Sequence, residues 1–168
     1  MFTVLELYDL AAQIEANGEQ FYRYAMTRVD RDSFSDLFNW LADQELVHKE
    51  TFTDIREEIV SSGKPTPDFP SLSREILLGA MGRHAFSLDE LDIESIRDEE
   101  ELLQAALVFE EDTIIFFDFI SPFISDPGAI SMLEKIKAEE LNHKQLLTEK
   151  IDEIRRKSVP GKQTTKPG

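Results

Sequence analysis

Four long stretches of the chain carry apolar residues at alternating steps of four and three. In the first the stripe is Val4, Tyr8, Ala11, Glu15, Gly18, Tyr22, Ala25 and Val29. In the second it is Phe34, Phe38, Leu41, Glu45, His48, Phe52, Ile55 and Ile59. A mean step of about 3.5 residues draws one seam along a helix, and such seams turn inward when helices bundle. Thr3 is suited to cap the first helix, and the stretch Asp30 to Ser33 separates it from the second. A link of about four residues makes the two an antiparallel hairpin.

Residues 62–97 interrupt the pattern. Ser61, Ser62, Gly63, Pro65, Pro67 and Pro70 stop the second helix. Leu72, Ile76, Leu77 and Ala80 suit a short helix over Ser71 to Met81, inside a connection long enough to cross over along a bundle. A third helix is predicted from near Asp98 to about Ser121, with Glu99, Glu100 and Glu101 at its positive N-terminal end. Pro122 and Ser125-Asp126-Pro127 mark the next turn. Asp126 is placed to cap a fourth helix that begins at Pro127 and runs to about Lys157. Residues 158–168 have almost no apolar content and read as a disordered tail. The expected architecture is all-α: one four-helix bundle over residues 1–157, made of two antiparallel hairpins with a long crossover.

The two hairpins repeat each other. A shift of 95 residues carries Glu15 onto Glu110, Phe21 onto Phe116, Tyr22 onto Phe117, Glu45 onto Glu140 and His48 onto His143. Glu45-Leu46-Val47-His48-Lys49 becomes Glu140-Leu141-Asn142-His143-Lys144.

The seams contain residues that an apolar interior ought to reject. Glu15, Glu45, Glu110 and Glu140 all fall on inward positions, as do His48 and His143. Glu15 and Glu45 each lie 15 residues from a turn centred at residue 30, and Glu110 and Glu140 lie 15 from one centred at residue 125. At the helical rise the members of each pair therefore sit at one level, about 22 Å from their turn. Each Glu-x-x-His pair is spaced i, i+3 and shares a helix face. Four carboxylates at one level repel one another unless cations join them, and two divalent metals offset the four formal charges. The spacing assigns Glu15 and His48 to one metal and Glu110 and His143 to the other, with Glu45 and Glu140 bridging.

Composition narrows the chemistry further. Asp and Glu number 34 against 18 Lys and Arg, for a net charge of −16. That balance disfavours nucleic acid, whose phosphates demand a basic face, and it disfavours an anionic membrane surface. The 12 Phe that accompany the acids argue against disorder. With no cysteine, thiol catalysis, iron–sulfur clusters and Cys-ligated zinc are excluded. No basic leader precedes the first helix and no stretch is apolar enough for a membrane span, so the cytoplasm is the expected compartment.

On Glu15 with Phe21-Tyr22, Glu45-Leu46-Val47-His48, Glu110 with Phe116-Phe117, and Glu140-Leu141-Asn142-His143, the chain resembles the ferritin-like superfamily. Within it the chain is similar to rubrerythrin-like proteins, over about residues 3–157. The resemblance implies a non-haem di-iron centre, with manganese or zinc as substitutes, that reduces hydrogen peroxide or dioxygen in oxidative stress defence. Many rubrerythrins carry a rubredoxin domain with four Cys. This chain has none, which implies a separate electron donor protein. Rubrerythrins in the narrow sense carry a further Glu where this chain has Thr113, so the ligand set resembles the symmetric one of bacterioferritin. Bacterioferritins bind haem through a Met at the position of Leu46, so no haem is expected. Manganese catalases are another relative, and relatives assemble as homodimers, which is the expectation here. The alternatives are a ferroxidase that handles iron and an interaction module whose metals are structural.

Around the site, Tyr22 is the candidate catalytic residue, hydrogen-bonding a ligand carboxylate or supplying an electron, with simple core packing as the alternative. Gly18 and Thr113 are equivalent small residues that either leave space for an oxygen species or let helices approach. Gln44 and Glu139 precede the paired glutamates and are candidates to orient the imidazoles or to stand at solvated edges. Glu19 and Glu111 are expected at the surface, Trp40 and the Phe116-Phe117-Phe119 run in the core or an interface, and His84 in a loop.

Overall fold

The computed structural model describes residues 2–63, 65, 68–69 and 96–158. The short helix expected over 71–81, the loop position of His84, most of the crossover and nearly all of the expected tail lie outside the described residues.

Four helices form where the seams run. Helix α1 spans Val4–Met26, and Thr3 caps it as expected: its hydroxyl accepts the Glu6 N–H at 3.2 Å while the Glu6 carboxylate accepts the Thr3 N–H at 2.8 Å. It ends sooner than the seam suggests. Thr27 closes it, with its hydroxyl donating to the Tyr24 carbonyl at 2.7 Å, and Val29 packs on the core from the turn. Helix α2 spans Asp32–Ser62. Its N-cap is Arg31, without a side-chain hydrogen bond, and it stops at Gly63, whose φ of 63° is a left-handed conformation that glycine adopts at no steric cost.

Helix α3 spans Glu99–Ile120, with the Asp98 carboxylate accepting the Glu101 N–H at 2.9 Å. A 3-10 turn over Ser121–Phe123 leads to α4, Pro127–Ser158, where Asp126 accepts the Ala129 N–H at 2.9 Å. One feature departs from the all-helical expectation. Phe2–Thr3 (β1) and Asp68–Phe69 (β2) pair antiparallel, tying the start of the crossover to the N-terminus.

Helix α1 packs along α2 and α3 along α4, while α1 also touches α3 and α2 touches α4. The interior falls into two apolar clusters at opposite ends. One gathers Leu7, Tyr8 and Ile14 of α1, Phe52 of α2, Phe109, Phe116 and Phe117 of α3, and Leu133 and Ile136 of α4. The other gathers Phe21 and Tyr22 of α1, Phe38 and Leu41 of α2, Leu103 and Ala106 of α3, and Leu147 and Ile151 of α4. The start of α1 thus shares an end with the end of α3, so these two helices run antiparallel, as do α2 and α4. The end of α2 and the start of α3 lie at opposite ends of the bundle, which is why a long crossover is needed. Among the described residues no helix is long and apolar enough to cross a membrane.

The aromatic end of the core sets a testable contrast. Phe117 is fully buried, its ring 5.3 Å from Phe52 and 5.7 Å from Phe116. Phe117→Ala is expected to lower stability by about 3–5 kcal/mol in urea unfolding. Asp126→Ala, which removes only a cap, is expected to cost about 1 kcal/mol.

Candidate metal centre

Between the two apolar clusters lies one polar layer. Helix α1 supplies Glu15, α2 supplies Glu45 and His48, α3 supplies Glu110, and α4 supplies Glu140 and His143; all six are at most 1% exposed. They fall into two overlapping groups: Glu15, Glu45, His48 and Glu140 in one, Glu45, Glu110, Glu140 and His143 in the other. Within each group one ligand atom per residue lies within 4.8 Å of all the others. Glu45 and Glu140 belong to both groups, and they are the residues that the spacing marks as shared.

Both imidazoles turn Nδ1 into the cluster. His48 Nδ1 lies 2.7 Å from Glu140 and 3.5 Å from Glu15. His143 Nδ1 lies 3.0 Å from Glu140, 3.6 Å from Glu110 and 3.7 Å from Glu45. The two rings are stacked with centroids 5.9 Å apart. Tyr22 donates its hydroxyl proton to Glu110 in a short buried hydrogen bond. Five carboxylate oxygens of the layer are buried with no hydrogen-bond partner: both of Glu15, both of Glu45 and one of Glu110. Unsatisfied oxygens at this density are costly, and bound cations would satisfy them.

Burial, reinforced by the Glu140 charge, holds the carboxyls of Glu15 and Glu45 well above the usual range and pushes Glu110 up to about 8. Glu140 goes the other way. Burial opposes its charge, but hydrogen bonds from His143 and His48 hold its carboxyl well below the usual range. Burial also opposes charge on the imidazoles, yet the contact with Glu140 raises His48 to about 9, and those with Glu110 and Glu140 raise His143 to about 10. Burial, then the Glu110 charge, pushes the Tyr22 phenol well above its ordinary value. Without metal the layer is therefore held together by protons, which cations must displace.

The surrounding residues divide unevenly. Glu139, half-buried on α4, lies with its carboxylate 2.9 Å from His48 Nε2, while Gln44, its counterpart in the repeat, is half-buried on α2. Trp40 is 43% exposed and stands nearly perpendicular to the His143 ring at 5.2 Å. Glu19 and Glu111 pair with Arg23 and Lys144 on the outside of the bundle. Gly18 leaves no void. A Cβ there would meet Phe109 at 2.7 Å and a Glu45 oxygen at 2.8 Å, so the missing side chain lets both approach. The pattern of apolar steps carries no signal for Phe109 as the ring that fills this gap.

Two outcomes follow from this geometry. Each of Glu15, Glu45, Glu110, His48 and His143 binds its proton more tightly folded than unfolded, so each stabilises the metal-free fold at low pH and loses that effect as pH rises. The loss runs from 4.5 through about 8 for Glu110, and from 6.5 through about 9 and 10 for His48 and His143. The urea midpoint of metal-free protein is expected to fall between about pH 5 and pH 9, and a divalent metal is expected to reverse the fall. Gly18→Ala is expected to push the Glu45 carboxylate from the layer and weaken metal binding at least about tenfold by calorimetry.

The chain matches no protein-family model and no curated protein. Solved structures do resemble it. One is a putative ferritin-like diiron-carboxylate protein from Thermotoga maritima, 22% identical, with a TM-score of 0.68 over 90% of this chain and 96% of that one. Another is a hypothetical protein from Pyrococcus furiosus, 16% identical, with a TM-score of 0.67 over 95% and 94%. A manganese catalase from Anabaena is 15% identical, with a TM-score of 0.64 over all of this chain and 81% of that one. At these identities the likeness speaks for architecture, and with the two antiparallel hairpins and the buried carboxylate–histidine layer it establishes that the chain has the ferritin-like fold.

Proposed function

We propose that the chain is a rubrerythrin-like oxidoreductase that holds two iron ions, reduces hydrogen peroxide or dioxygen, and is returned to its starting state by a separate electron-carrying protein. The observation that supports this most directly is the pair of overlapping ligand groups sharing Glu45 and Glu140 in a dry layer. Each group offers three carboxylates and one imidazole, a donor set that suits iron or manganese. In this reading Glu15 and His48 would hold one ion and Glu110 and His143 the other, with Glu45 and Glu140 available to both. Two iron ions would supply the two electrons that split the O–O bond of one peroxide, whose conversion to two waters also consumes two protons.

The chain's own residues prepare the place for that reaction. Apolar clusters above and below the layer exclude water, which strengthens every electrostatic contact within it. Tyr22 keeps its proton and donates it toward Glu110, fixing that carboxylate's orientation. The Thr113 hydroxyl, one turn from Glu110, is fully buried without a hydrogen-bond partner and is free to donate to a small oxygen species. The manganese catalase among the structural neighbours favours a second reading, the same pocket with manganese disproportionating peroxide.

The experiment is anaerobic loading with Fe(II) followed by peroxide or air. Consumption of one peroxide per iron pair, with slower reaction in air, is the expected result. Oxygen evolution by a manganese-loaded chain would favour disproportionation, and air oxidation of many irons per chain would move the protein to iron storage. Glu45→Ala and Glu140→Ala are each expected to abolish loading of the pair while the helical circular dichroism persists. Unchanged metal stoichiometry in both variants would overturn the assignment.

A further inference from the structure

We propose that the two metal positions are inequivalent, and that Glu139 is the positioning residue that makes the Glu15–His48 position the tighter of the two. The proposal rests on the dinuclear reading and specifies how its halves differ. The repeat makes the ligands a matched set, Glu15 with Glu110, Glu45 with Glu140 and His48 with His143. The groups behind those ligands are not matched.

His48 presents Nδ1 to the cluster and its outer nitrogen, Nε2, to Glu139 at 2.9 Å. Once a cation displaces the Nδ1 proton, a carboxylate on the outer nitrogen keeps the remaining proton there and makes the inward Nδ1 a stronger donor. Glu139 is itself held from the surface side by Lys135, 3.7 Å away, and its side chain is only 33% exposed. His143 has no such support. Its counterpart neighbour, Gln44, is a neutral amide, and among the described residues no carboxylate takes its outer nitrogen. The His143 ring instead meets Trp40, nearly perpendicular to it at 5.2 Å.

The carboxylates differ in the same sense. Glu110 accepts the Tyr22 hydroxyl at one oxygen, which draws electron density from the carboxylate and leaves its other oxygen the poorer donor. Neither oxygen of Glu15 has a hydrogen-bond partner. The residue that the repeat places opposite Tyr22 is Phe117, which has no hydroxyl to donate. Both differences, Glu139 against Gln44 and Tyr22 against Phe117, favour the donors of the Glu15–His48 position over those of the Glu110–His143 position.

The test is titration of the metal-free full-length chain with Co(II), followed by calorimetry and by the fluorescence of Trp40, the one tryptophan in the sequence. Two binding steps are expected, with most of the Trp40 quenching in the second, when the ion enters beside His143. Glu139→Gln is expected to weaken the first step about tenfold or more and to leave the second unchanged. Tyr22→Phe is expected to tighten the second step alone. If the positions were equal and merely coupled through Glu45 and Glu140, Glu139→Gln would spare the first step and weaken the second, and that result overturns the proposal. A Tyr22→Phe effect confined to the first step overturns it as well. Binding of a single ion in the unsubstituted chain would overturn the dinuclear reading itself, whereas two ions in two indistinguishable steps would overturn only the inequivalence.

Discussion

Four carboxylates buried at one level of an apolar bundle constrain everything around them. Removing a carboxylate from water costs several kcal/mol even after the surroundings relax, and neighbours of like sign add to that cost. Either protons or cations must make up the difference. In the metal-free chain the answer is protons: burial and mutual repulsion make Glu15, Glu45 and Glu110 hold protons more tightly, and contact with the carboxylates does the same for both imidazoles. The apolar clusters that flank the layer sharpen this demand, because they bar the water that would otherwise solvate the charges.

The repeat supplies a nearly two-fold frame, and the departures from it are where the chemistry becomes specific. Tyr22 stands opposite Phe117, Gly18 opposite Thr113, and Gln44 opposite Glu139. Each substitution leaves the metal-facing residues intact while altering what stands behind them. A bundle of this kind can change the character of a metal pair without touching a ligand.

Much of this was legible from residue order. The period near 3.5 locates all four helices, and Thr3, Asp98 and Asp126 mark the starts of three of them because a short polar side chain before an apolar seam has few other uses. The common level of Glu15, Glu45, Glu110 and Glu140 follows from equal distances to two turns, which is arithmetic on the helical rise. Most of what stayed hidden depends on contacts between elements rather than along them. Glu139 and Gln44 are equivalent by spacing, and only the packing of α4 on α2 brings the Glu139 carboxylate to His48. Gly18 reads equally as a gap or a close approach until the Phe109 ring is found in the space. The early end of α1 depends on a hydrogen bond from Thr27 that no periodicity encodes, and the pairing of Phe2–Thr3 with Asp68–Phe69 joins stretches too short to carry a strand signal.

The crossover gives the metal layer a second consequence. Neither hairpin owns a complete ligand group: one needs Glu140 from α4, and the other needs Glu45 from α2. Ions bound there would tie together residues 95 positions apart, closing a loop that includes the whole crossover. A covalent bridge over such a span restricts the unfolded chain by about 4–5 kcal/mol on loop-closure grounds. In a chain without a single cysteine, the metal pair would serve as the reversible cross-link that staples one half of the fold to the other.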